Sequence, residues 1–185
     1  MDDEREKDDA GTIPIDLDRL RQTASQIRQL LGYETYDMSI ILVDDEDMRE
    51  ANNDSRGVDA PTDILSFPFH DCHEPGKLEE PRFDISDYYN LGDIVIDVPY
   101  VMRVCESDQQ QQDEEPLADD EEYDDRGVAP SMETVNDPET RINMLLVHGM
   151  LHLVGYDHEE DDDYEAMVTK EEEFLIKLNM KPSSV

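Results

Sequence analysis

The chain lacks the features of several protein classes. No apolar run approaches the length of a bilayer span, so neither a transmembrane segment nor a membrane partner is expected. Cys72 and Cys105 are the only cysteines, too few for a disulfide framework, and they fit a reducing compartment. Residues 1–9 are acidic, unlike the apolar core of a secretory signal or an Arg-rich transit peptide, so no targeting peptide is expected in this chain. Basic residues are scarce: 15 Lys and Arg face 50 Asp and Glu, for a net charge of −35. Residues 1–9 contribute −4 and residues 106–125 contribute −11, so the remainder still carries −20. Phosphate backbones are ordinarily met by Lys and Arg clusters, and this chain has none. Bulk electrostatic attraction to nucleic acid is thereby excluded, leaving only local positive potential for such a role. The acidic surface also fits a solvated face or contact with a basic partner.

What is present is one domain's length with interleaved helix and strand signals. Leu17, Leu20, Ala24, Ile27 and Leu31 repeat at helical spacing between an N-cap Asp16 and a stop at Gly32. Met38–Val43, Ile64–Phe69 and Leu91–Val98 read as short strands, with a weak fourth near Phe83. A short helix is expected over Asp44–Asn53, and Pro99 suits the first turn of another. Glu139–Val154 is apolar almost all round, as a central buried helix is, and Glu159–Leu178 forms the last helix. These signals predict an α/β fold: a small mixed sheet of about four strands packed with about five helices. Residues 1–12 are expected to be an acidic disordered segment. Residues 13–180 form a single domain, interrupted at about 106–130 by a glutamine-rich and acidic insertion too polar to offset its ordering entropy.

The densest chemical signal is His148-Gly149-Met150-Leu151-His152-Leu153-Val154-Gly155-Tyr156-Asp157-His158. His148 and His152 lie four apart, one turn along one helix face. Gly155 can take the left-handed turn that brings His158 back toward them. Three imidazoles converging on one cation point to zinc, and three protein ligands leave a position open, as in catalytic rather than structural sites. An ordinary pair of core histidines is the alternative for His148 and His152 alone. His70-Asp71-Cys72-His73 is a weaker second candidate for metal.

The histidine spacing resembles the metzincin protease motif H-E-x-x-H-x-x-G-x-x-H, but Gly149 stands where a protease carries its glutamate base. The segment more closely resembles the YbeY family of rRNA-maturation endoribonucleases, with signature H-G-x-L-H-L-x-G-Y-D-H. Arg56 ahead of Pro61-Thr62-Asp63-Ile64-Leu65-Ser66-Phe67-Pro68 is similar to that family's R-x-x-x-x-P-T-D-V-L-S-F-P block. Leu91-Gly92-Asp93-Ile94-Val95-Ile96 is similar to its L-G-D-I-x-I strand. The resemblance covers about Leu17 to Leu178, except the acidic insertion, which departs from the family's short turn.

The resemblance implies a single-strand-specific, zinc-dependent endoribonuclease acting on the 3′ end of small-subunit 16S-type rRNA and in ribosome quality control. It implies one zinc on His148, His152 and His158. Arg56 is the candidate to clamp phosphate and stabilise transition-state charge, and Ser66 the candidate to present a hydroxyl to substrate. Asp63, Asp93 and Asp157 are candidates to orient the histidine rings. The expected partners are ribosomal RNA and the small ribosomal subunit or one of its proteins, with the insertion a candidate to bind a basic partner. The resemblance places a bacterial protein in the cytoplasm and a eukaryotic one in a plastid or mitochondrion. Two other readings stand beside this one: a non-catalytic zinc-binding ribosome-assembly factor, which the acidic surface suits, and a zinc metallopeptidase.

Overall fold

A computed structural model describes residues 15–79, 81, 83, 85–112 and 130–180. The expected acidic segment at 1–12 and most of the expected insertion lie outside the described residues. Helix α1 (Leu17–Leu31) starts where Asp16 accepts hydrogen bonds from the amides of Asp18 and Arg19. Then follow β1 (Asp37–Val43), α2 (Asp45–Arg56), β2 (Ile64–Pro68), a 3-10 turn (Ser86–Tyr88) and β3 (Asn90–Asp97). The chain continues through α3 (Val98–Gln112), α4 (Pro130–Glu133), α5 (Pro138–Leu153) and α6 (Asp161–Lys177).

The α/β expectation holds, with a three-stranded mixed sheet instead of about four strands. β3 is central, parallel to β1 and antiparallel to β2. The weak strand expected near Phe83 does not form among the described residues. Phe83 is exposed and has no face to pack on, and the local chain turns instead.

β3 is apolar on both faces because both are covered. Ile94 and Ile96 join Ile64 and the apolar side chains of α5 in the main core. Val95, with Leu65, faces the other way and packs under Met48 of α2. The sheet therefore has α5 on one side and α2 on the other. α5 is buried from Arg141 through Leu151, the environment expected of its nearly continuous apolar sequence.

α3 runs on to Gln112, past the expected boundary at Glu106. Glutamine is a good helix former, and long-range contacts hold this tail. Buried Arg141 reaches Asp108 at 3.6 Å and donates to the Met132 carbonyl at 2.7 Å, tying α3 and α4 to α5. Cys105 packs there too, its thiol 3.8 Å from the Val135 carbonyl.

Asp97 caps α3, its Oδ1 accepting from the Tyr100 amide at 2.9 Å, while buried Oδ2 has no hydrogen-bond partner. Burial foremost, and then neighbouring Asp45, raise its pKa from 3.8 to about 6, against the Tyr100 bond and Arg103. A carboxyl whose pKa is raised on folding binds more protons folded than unfolded. Its contribution is therefore complete below the unfolded pKa and is lost as pH climbs through about 6. Asp97→Asn keeps the cap and removes the charge. We expect it to stabilise the protein by at most about 3 kcal/mol at pH 8, a tenfold change in proton affinity being worth about 1.4 kcal/mol, and by almost nothing at pH 4. Urea unfolding at both pH values checks this; an equal effect at both would refute the assignment.

Candidate metal centre and cleft

His148 and His152 project from the last turns of α5, and the chain then reverses at Gly155. There φ is +87°, and a Cβ would come within 2.3 Å of the Cys72 Cβ, so this tight turn accepts only glycine. The amides of Gly155 and Tyr156 close on the carbonyls of His152 and Leu151. Beyond the turn, Asp157 accepts the His158 amide at 2.8 Å and returns His158 to the end of the helix. One nitrogen from each histidine then lies within 4.8 Å of those of the other two. The Nε2 atoms of His148 and His152 are 3.1 Å apart.

These residues fit a divalent ion. Nitrogens on a tetrahedral metal sit roughly 3.3 Å apart, given bonds of about 2.0–2.1 Å, and the first pair is already near that spacing. Burial foremost, helped by the His158 and Arg56 charges against the pull of Asp63, lowers the His148 pKa to about 4. Burial, then His148 and His158, lowers that of His152 to about 3. Both rings are therefore neutral at pH 7, with lone pairs available to a metal.

The carboxylate bonded to a ligand ring is none of those expected from sequence. It is Glu171 of α6, whose Oε1 lies 2.5 Å from His148 Nδ1, both side chains being buried. Asp63 instead takes the Ile64 amide and the Thr62 hydroxyl, and Asp157 takes the His158 amide. Glu171 did leave a signal in the sequence: it sits four after Met167 and three before Phe174, on the apolar face of α6.

Arg56 and Ser66 open onto the same cleft of about 520 Å³ as His152 and His158, with Pro68, Tyr156, Asp157 and Glu159. Arg56 is the last residue of α2, which runs about one turn beyond its expected end at Asn53. It is exposed and has no ion-pair partner among the described residues. Every other described lysine and arginine has an acidic one. The single uncommitted cation among the described residues of a very acidic chain thus stands beside the histidines.

The second metal candidate does not assemble: among the described residues only the three histidines form such a group. His70 packs edge-on against Tyr36 and Phe69, Cys72 lies against Gly155, and exposed His73 faces Glu79.

Comparison with known proteins agrees with the motifs. The family model described as Endoribonuclease YbeY matches residues 5–118 and 127–179. A Homo sapiens protein named Endoribonuclease YbeY is 30% identical over 169 residues, covering 91% of this chain and 84% of its own. Its namesake from Thermoanaerobacter sp. (strain X514) is 29% identical over 181 residues, covering 97% and 96%. A solution structure from Thermotoga maritima aligns over 88% of this chain and 83% of that one, at 22% identity and a TM-score of 0.43, a likeness too loose to bear on the fold. With the family model matching residues 5–118 and 127–179, nearly the whole chain, the chain belongs to the Endoribonuclease YbeY family.

Proposed function

We propose that this protein is a zinc-dependent endoribonuclease that cuts single-stranded RNA at the 3′ end of small-subunit rRNA and serves ribosome quality control. The observation that carries the reading is the placing of a three-histidine cluster, two of its members lining an open cleft, beside an arginine that has no ion-pair partner among the described residues. Family membership supports RNA as the substrate class. His148, His152 and His158 hold the ion, which supplies Lewis-acid stabilisation and activates water. Arg56 binds a non-bridging phosphate oxygen and meets the charge that develops there, a role suited to its planar fork of donors. Ser66, half-buried on the cleft wall, donates to the sugar–phosphate chain and fixes its register. Local charge at Arg56 and the ion replaces the broad basic surface that the chain lacks.

One specific observation favours a second reading. The net charge of −35 suits an assembly factor that binds a basic ribosomal protein and uses zinc only to fold. Cleavage of a small-subunit rRNA 3′-end fragment separates the two. Activity is expected to vanish on chelation and to return with zinc, and a fully duplexed version of the fragment should resist cutting. No cleavage by folded, zinc-loaded protein would leave the assembly-factor reading standing.

A further inference from the structure

α6 packs its apolar face into the core through Met167, Phe174 and Leu175, and in the middle of that face stands Glu171, 1% exposed. Burying a carboxylate costs several kcal/mol unless partners compensate. Its Oε1 lies 2.5 Å from Nδ1 of His148, a ring whose other nitrogen faces the histidine cluster. With Glu171 as the acceptor, Nδ1 carries the proton, and in the neutral ring that leaves the Nε2 lone pair directed at the histidine cluster. A carboxylate at Nδ1 would balance a cation held at Nε2 through the imidazole. Simple core packing does not explain a polar carboxyl aligned with the ring.

We infer that Glu171 is a positioning residue for the metal. Without touching ion or substrate, it fixes the tautomer and ring angle of His148 and sets how tightly the ion is held. The inference rests on the metal reading of the three histidines and extends it to α6. It also gives that helix a role in activity, because a shift of α6 along α5 would withdraw the carboxylate and loosen the site.

The test is zinc affinity, measured by competition with a chromogenic chelator on full-length wild type, Glu171→Gln and Glu171→Leu. The visible spectrum of the cobalt(II)-loaded proteins provides a second readout. Gln keeps an oxygen acceptor but loses the charge, so about a tenfold weaker zinc affinity is expected; Leu loses both, and about a hundredfold is expected. The cobalt spectrum should change in Leu and be largely retained in Gln. Thermal unfolding of the metal-free proteins should show no loss of stability in Gln. Equal zinc affinity in wild type and both folded variants would overturn the inference, as would lower metal-free stability in Gln with unchanged affinity. Wild type that binds no zinc would instead sink the metal reading itself.

Discussion

His152→Ala should lower RNA cleavage by at least about a thousandfold while leaving the protein folded. The metal's contribution to transition-state charge stabilisation is several kcal/mol, and each 1.4 kcal/mol is about a tenfold change in rate. His152 is only part-buried and lines the cleft, so its truncation opens little core. The metal-free melting temperature should therefore move by a few degrees at most, whereas the rise on adding zinc should disappear, because that rise reports binding to the folded state. Arg56→Ala should behave differently. It breaks no ion pair among the described residues, so both stability and zinc binding should match wild type, and cleavage should fall by about 10²–10³-fold, the scale of one lost charge-stabilising donor. Arg56→Lys keeps a point charge without the planar fork and should recover only part of that loss. Adding Arg56→Ala to His152→Ala should cost little more, since groups that act as a unit are not additive. Cleavage that survives His152→Ala would place the chemistry outside this cleft.

What the sequence revealed depended on how local the cause was. The histidine cluster was legible because its geometry is set by a four-residue helical step, a glycine turn and three further residues. Helix α1 was legible from Asp16 and Gly32, and β3 from a run apolar on both faces. Arg56 was named through family resemblance, but its standing as an uncommitted cation appears only when the partners of the other bases are known. Features fixed by distant contacts were not legible. The tail of α3 is held by Arg141 and Val135, about thirty residues onward, so local composition alone suggested that the chain loses its structure at Glu106. Glu171 lies 23 residues from His148, and no spacing rule links them. The fourth strand failed for the converse reason: an apolar signal near Phe83 has no neighbour to receive it among the described residues.

Gly149→Glu would restore the metzincin pattern, and it should destabilise the fold instead of creating a peptidase. A Cβ at Gly149 would stand 2.9 Å from Ile64 Cδ1, 3.1 Å from Ile94 Cδ1 and 3.1 Å from Ser66 Oγ. The residue therefore marks where α5 rests on β2 and β3, and it faces the sheet. Gly149→Ala needs only the tips of two isoleucines to shift. About 1 kcal/mol of gained helix propensity offsets crowding of similar size, so its net effect should lie within about 1 kcal/mol of zero. Glutamate would put a carboxylate between Ile64 and Ile94 with only the Ser66 hydroxyl in reach, costing at least about 4 kcal/mol. Urea midpoints of the two variants check the contrast, and a peptide-library assay checks the chemistry. A Gly149→Glu protein with the wild-type midpoint would mean that α5 can stand off the sheet. The missing glutamate would then be an accident of sequence. If the midpoint collapses as expected, the packing of α5 on the sheet itself excludes the protease base, and the cleft must use groups such as Arg56 that enter from α2 and β2.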